Sequence, residues 1–284
     1  MRNEQTKVIS HAACGPGYRL LVLDAPQIAA DAQPGQFVHV KVPALEASAL
    51  RRPFSIFNAE AGRLELLYKT VGRGTAALNA VKPGETVEVL GPLGRGFPTT
   101  CDGTPLLVGG GYGVAPLYFL ARRLKERTNR MIELSNRRME GGADNSIIRP
   151  FDHSIISPKL FVGGRTKDDL LALDRFAALG VEVFAATNDG SFGTKGFAVV
   201  PLDAELNRLR AAGARFALFT CGPDGLLKAV SERACALGVP GWISVDRHMV
   251  CGVGACYACI QRTAKGNARC CVDGPVFKAT DLVW

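Results

Sequence analysis

No run in this chain approaches the roughly 18 consecutive apolar residues of a membrane-crossing helix. Its first residues, Met1-Arg-Asn-Glu-Gln-Thr-Lys-Val8, lack the apolar centre of a secretory signal. A cytoplasmic protein with no membrane partner is the expectation. Long blocks of one charge are missing too, because the 34 basic and 26 acidic residues intermingle and leave a formal charge of +8. Nucleic acid binding needs a denser basic stripe than that, whereas a mildly basic surface suits the collection of phosphate-bearing cofactors or an acidic partner. Histidine is scarce, and the four present show no catalytic grouping.

What is present is a foldable share of apolar residues, 47%, against 21% charged, with many glycines and prolines. That balance excludes wholesale disorder. At 284 residues the chain is expected to divide into two or three domains. Nine cysteines in a small secreted protein would read as disulfides, but five of these crowd between 251 and 271 of a longer chain without a leader. Such crowding points to a metal or cluster.

Three patterns follow one another. Over residues 1–100, short apolar runs such as Arg19–Leu23, Gln36–Val42, Leu64–Tyr68 and Thr86–Leu90 are separated by Pro-Gly and Gly-Pro turns, which predicts an all-β barrel or sandwich. Over 101–238, buried strands predicted at 105–109, 159–163, 181–186 and 214–220 alternate with helices at 114–127, 167–179 and 224–237, as in a doubly wound α/β sheet. The polar stretch 128–158 fits neither period and reads as an inserted surface loop. Over 239–284 the chain is cysteine-rich, with too few core residues to stand alone, so that a cluster would add cohesion.

Several constellations carry chemistry. Arg51-Arg-Pro-Phe-Ser55 offers guanidinium, aromatic ring and hydroxyl on one strand, suited to a pyrophosphate and a flat ring, although a plain edge strand has the same look. Tyr68-Lys-Thr-Val-Gly-Arg-Gly-Thr75 reads either as a phosphate loop or as a glycine turn with Thr75 as helix N-cap. Gly109, Gly110, Gly111 and Gly113 follow a buried strand and open a helix, the context of a dinucleotide loop without the usual GxGxxG spacing. Cys221, Gly222 and Pro223 close another strand at the carboxyl edge of the sheet, where Cys221 either borders a nicotinamide or is a small buried residue.

The spacing Cys251-x4-Cys256-x2-Cys259 followed by a fourth thiolate has the core of plant-type [2Fe–2S] sites, with structural zinc as the competing reading. Gly252 and Gly254 allow the loop to turn its N–H groups inward. By spacing alone the fourth ligand is either Cys270 or Cys271.

The succession RPFS, GRGT, GGGYGVAP and CGP resembles the ferredoxin–NADP reductase superfamily over nearly the whole chain apart from 128–158. The resemblance implies an FAD-binding β-barrel, an NAD(P)-binding α/β domain and a [2Fe–2S] domain. It implies FAD held by Arg52, Pro53, Phe54, Ser55, Leu67, Tyr68, Lys69, Gly74 and Thr75. Cys251–Cys259 and the run Cys271-Val-Asp-Gly-Pro-Val-Phe277 are similar to the electron-transfer subunits of class 1B dihydroorotate dehydrogenases, which selects Cys271 over Cys270.

That family implies an accessory role in pyrimidine biosynthesis. Electrons would leave the FMN of a separate dihydroorotate-oxidising subunit, in a heterotetramer with two copies of each chain, and pass through cluster and FAD to NAD. The alternative is a reductase subunit serving ferredoxin, hydrogenase or transhydrogenation, and a non-redox, metal-stabilised binding module is a third reading. Family resemblance favours NAD, while Arg165 and Lys167, after the second strand of the α/β domain, leave NADP open.

Overall fold

The first strand hides its pattern, because two of its three buried positions are polar. In the computed structural model, which describes residues 1–42, 51–140 and 157–284 (side chains only to 133 in the second stretch), β1 (Arg2–Gly15) turns Glu4, Thr6 and Val8 inward. Each buried polar group has a partner, as burial requires. Glu4 accepts from the backbone N–H groups of Gln27 and Ile28 at 3.2 and 3.0 Å, which fastens the short helix α1 (Pro26–Asp31). The Thr6 hydroxyl donates to the Val87 carbonyl at 2.9 Å.

Strands β2 (Tyr18–Asp24), β3 (Phe37–Lys41), β4 (Arg52–Glu60), β5 (Arg63–Lys69) and β6 (Thr86–Leu93) complete a closed antiparallel barrel in the order β1-β2-β5-β4-β3-β6. Its interior is filled by alternating residues such as Val38 and Val40 of β3 and Leu64 and Leu66 of β5. The short helix α2 (Arg73–Asn79) follows β5.

The second unit is a seven-stranded sheet in the order β10-β9-β8-β7-β11-β12-β15. Its members are β7 (Thr104–Gly110), β8 (Lys159–Gly164), β9 (Glu182–Thr187), β10 (Thr194–Lys195), β11 (Phe216–Cys221), β12 (Gly241–Ser244) and β15 (Val276–Lys278), all parallel except the last. Leu106 and Val108 of β7 face one core with Leu202 and Leu227, while Leu107 faces the opposite core with Leu117 and Phe176. Helices α5 (Val199–Ala211) and α6 (Asp224–Leu237) thus cover one face, and α3 (Val114–Glu140) and α4 (Leu173–Ala178) the other. A strand buried on both faces reads as an unbroken apolar run, which explains why Pro105–Val108 stands out in the sequence.

Two expectations are corrected. The loop predicted over 128–158 begins as helix, since α3 continues to Glu140. Its end carries the mostly polar run Asn136-Arg-Arg-Met-Glu140, whose sequence shows no apolar period and so hides the helix. The remainder of that expectation, 141–156, lies outside the described residues. The C-terminal segment also finds cohesion beyond its cysteines. It adds a hairpin of β13 (Ile260–Thr263) and β14 (Gly266–Arg269), and its last strand, β15, joins the α/β sheet through β12. Phe277, Ala279 and Leu282 enter the core beneath α5 and α6.

Barrel and sheet are clasped at Arg175 of α4. Its guanidinium lies 4.6 Å from the ring centroids of both Phe57 and Tyr118 and pairs with Glu65 at 2.5 and 3.2 Å. Burial alone would raise the Glu65 pKa, but hydrogen bonds from Arg175 and Asn58 and the Arg175 charge hold it below the ordinary carboxylate range. Arg175→Ala is expected to cost about 2–4 kcal/mol, because it leaves a half-buried carboxylate unpaired and removes two cation–π contacts. A folded pKa below the unfolded value stabilises the protein above the unfolded pKa, and this contribution fades as pH falls through the folded one. The gap in denaturation midpoint between wild type and variant should therefore be full at pH 7 and narrow below about pH 4.

Candidate functional site

The sheet order reverses between β7 and β11, and the two predicted nucleotide loops leave the carboxyl ends of these adjacent strands. Open α/β sheets bind ligands at such a switch point. Gly109 pairs in register with Cys221. A Cβ on Gly113 would lie 2.4 Å from the Cys221 carbonyl oxygen and 2.7 Å from Gly222 Cα, and one on Gly110 would lie 2.9 Å from Pro223. Gly111 has φ of +55°. Glycine is thus required for the approach of one loop to the other, which brings Gly109, Gly110, Gly111, Gly113, Cys221, Gly222 and Pro223 together.

The Cys221 thiol is buried, and burial pushes its pKa up to about 12 although Ser244 hydrogen-bonds to it. It is a neutral thiol at physiological pH. Two further groups beside it escaped the sequence reading. Tyr112 and Asp246 are hydrogen-bonded to each other, and burial raises the pKa of the Asp246 carboxyl against the pull of His248. Asp246 follows β12, a four-residue strand too short to signal itself in the sequence.

On the barrel, Arg52, Pro53, Phe54 and Ser55 lie along β4, and Leu67, Tyr68 and Lys69 end the neighbouring β5. A Cβ on Gly74 would lie 2.4 Å from Arg52 Nε, so the arginine stem crosses the first turn of α2 where only glycine leaves space. The rings of Phe54 and Tyr68 meet edge to face at 5.2 Å. The Tyr68 hydroxyl lies 2.9 Å from His11 Nε2, and His11 Nδ1 lies 2.9 Å from the Val81 carbonyl. A carbonyl only accepts, so Nδ1 carries the proton in the neutral ring and Tyr68 donates to Nε2.

Two members of the expected FAD set have work inside the protein. Lys69 donates to the Tyr18 hydroxyl at 3.1 Å and pairs with Asp169 at 3.6 Å, while Tyr18 donates to Asp169 at 2.7 Å. This network joins the barrel to the α/β unit. Thr75 is not the N-cap, because Gly72 occupies that position. The Thr75 hydroxyl instead accepts from the N–H groups of Val71 and Gly72 and donates to the Gly72 carbonyl, closing the turn.

Gly252 and Gly254 adopt φ of +70° and +85° in the cysteine loop, and Tyr257 reaches +57° without being glycine. Burial would raise the Cys251 thiol, but N–H groups of Val253, Cys256 and Ala255 and the Cys256 thiol converge on it and lower it to about 6. Such a nest of N–H groups favours a thiolate. Cys271, by contrast, is pushed up to about 12 by burial and by the Cys259 thiol against it, while Gly254 N–H points at its sulfur. The thiols share one neighbourhood, in which Cys256 bears on Cys251 while Cys259 and Cys251 both bear on Cys271. Cys270 is fully buried in the core shared with the α/β unit. Among the described residues, no three His, Cys, Asp or Glu side chains converge as they would around a single metal ion.

A barrel carrying RPFS, joined to a doubly wound sheet with glycine loops at its switch point, defines the class of flavin-dependent, nicotinamide-linked reductases. An oxidoreductase FAD-binding domain model matches residues 5–97, and a model of the iron–sulfur cluster binding domain of dihydroorotate dehydrogenase B matches 246–283. The chain belongs to the dihydroorotate dehydrogenase B (NAD(+)) electron transfer subunits. It is 37% identical over 259 residues to that subunit from Geobacillus kaustophilus (88% of this chain, 87% of the relative). It is 35% identical over 286 residues to that from Desulforamulus reducens (98% and 97%). Among solved structures, an NADH-dependent reduced ferredoxin-NADP oxidoreductase studied for flavin-based electron bifurcation superposes with a TM-score of 0.76 and 28% identity, covering 99% of this chain and 90% of its own. No helix among the described residues is long and apolar enough to cross a membrane.

Proposed function

We propose that this chain relays electrons from a dihydroorotate-oxidising partner to NAD, with Cys251, Cys256, Cys259 and Cys271 holding a [2Fe–2S] cluster. The observation that carries this is the glycine-turned loop whose N–H groups converge on Cys251 and reach Cys271, and which packs on the barrel's outer wall at His39. Four thiolates would complete the ligand set of a two-iron core. Bound groups at the three sites would supply conversion between one-electron and two-electron transfer. Arg52, laid across Gly74, would meet the pyrophosphate of FAD, and the RPFS strand with Tyr68 would border its ring system, Ser55 on the outer face and Phe54 backing the wall from the barrel core. The loops at Gly109–Gly113 and Cys221–Pro223 admit the nicotinamide nucleotide, with the neutral Cys221 thiol at the border of its ring. The partner is an FMN-containing subunit, assembled two with two, and docks where Val250, Val253 and Tyr257 expose apolar surface on the cysteine loop.

The preference between nucleotides follows from charge. Arg165 is paired with Asp169 at 3.4 Å, and that carboxylate also binds Tyr18 and Lys69. A 2′-phosphate must compete with it, so NADH is expected to be used at least about tenfold more efficiently than NADPH. The purified chain should reduce artificial acceptors with NADH and turn over dihydroorotate only after the FMN subunit is added. Dihydroorotate turnover by the chain alone would sink the proposal. The alternative, a subunit serving ferredoxin–NADP chemistry, draws on the bifurcating relative. Co-purification with a ferredoxin-linked partner in place of an FMN enzyme would favour it.

A further inference from the structure

His39 is a buried histidine with neither ring nitrogen hydrogen-bonded. It lies on β3 directly opposite Pro53 of the RPFS strand. Its ring packs 5.6 Å from that of Phe37, two residues away on the same face of the strand, and Phe37 belongs to the core shared with the C-terminal segment. Val38 and Val40, by contrast, point into the barrel. The imidazole therefore projects from the barrel's outer wall toward the cysteine loop. There it meets Gly252, where a Cβ would lie 2.7, 2.9 and 3.0 Å from Cε1, Nε2 and Nδ1. The backbone beside Cys251 thus approaches the ring closely, and no residue larger than glycine fits.

An unpaired buried N–H costs roughly 1–3 kcal/mol. A valine or leucine would fill a space between apolar neighbours without that cost, so the donor has a purpose the polypeptide alone does not satisfy. Burial, reinforced by the Arg51 charge, holds the ring pKa down to about 4, which leaves the imidazole neutral with one N–H at physiological pH.

We propose that His39 is a positioning residue for electron transfer, whose ring N–H donates to sulfur of the iron–sulfur group held at the Cys251 loop. The inference rests on the ligand assignment above. Reduction adds negative charge to such a group, and a donor directed at its sulfur stabilises the reduced form. Placed between the RPFS strand and the cysteine loop, His39 also fixes the spacing of the flavin-facing and cluster-facing walls.

The test uses the full chain with its cluster in place, labelled with 15N-histidine and reduced for pulsed electron paramagnetic resonance. A 15N coupling to the reduced cluster is expected, and it should vanish in both His39→Phe and His39→Gln. In a redox titration at the wild-type midpoint, His39→Phe should lower the ratio of reduced to oxidised cluster about tenfold, which is about 59 mV for one electron. His39→Gln, which keeps an N–H donor, should recover most of that loss and still reports if the phenylalanine variant fails to assemble. A loaded wild-type cluster without 15N coupling, or a coupling that survives both substitutions, overturns the role of His39 while leaving the ligand assignment intact. A wild-type chain that holds neither iron nor sulfide overturns both.

Discussion

Cys259→Ser is expected to strip the protein of iron and acid-labile sulfide while flavin content is retained. Cys259 is buried, sits against Cys271, and begins the hairpin that leads back to it, with Cys270 N–H donating to the Cys259 carbonyl at 2.9 Å. Serine offers no thiolate, and thiolate is the species that binds iron. Outer-shell partners alone are worth on the order of 10–100-fold in metal affinity, so loss of a ligand should exceed that. Cys270→Ser should behave differently. It puts a hydroxyl into an apolar core and costs about 1–3 kcal/mol of stability, yet iron and sulfide should remain near wild-type content. Loss of cluster in Cys270→Ser with retention in Cys271→Ser would reverse the assignment of the fourth ligand. Iron, sulfide and flavin determinations on the purified variants, with thermal melts, make the comparison.

Gly113→Ala carries the next largest effect. Its methyl group would collide with the Cys221 carbonyl oxygen at 2.4 Å and with Gly222 Cα at 2.7 Å, both backbone atoms that no rotamer change can move. The two loops at the switch point must part, and misplacement of a bound ring by about 1 Å costs on the order of 10²-fold in rate. NADH oxidation should fall by that order, while the barrel retains its flavin because none of its strands is touched. Gly225→Ala is the control. It lies on α6 with nothing within 4 Å of a Cβ, and alanine in an exposed helix should stabilise by about 0.5–1 kcal/mol. Equal loss of NADH oxidation in both variants would contradict this account of the glycine loop.

Much of the architecture is legible wherever local chemistry and tertiary role agree. The fully buried strands β7, β8 and β11 announce themselves as apolar runs, and α6 spans the predicted 224–237. The inward-turned N–H groups of the cysteine loop follow from Gly252 and Gly254, since φ near +70° to +85° is costly for other residues. Legibility fails where burial is polar or contacts are distant. β1 conceals its inward face behind Glu4 and Thr6, whose partners lie more than twenty residues away. α3 outruns its apolar stripe, and the ties of Lys69 to Tyr18 and Asp169 join segments far apart in the chain. His39 sits in an ordinary β-strand pattern, and only the folded chain lays Gly252 against its ring.

The sequence by itself determined the order of the units and the residue types at each candidate site, because glycines, thiols and strand periods act through their own chemistry over a few residues. It also supplied two neighbouring thiols for one position. Tertiary structure decided their surroundings, burying both in the core shared with the α/β unit with the Cys259 thiol near each. It likewise decided which polar groups stand between the units, since β15 reaches the far sheet and β3 presents His39 to the cysteine loop. Spacing along the chain limits which groups can meet, but pairing between distant segments depends on which faces are buried together, and that is a property of the whole fold.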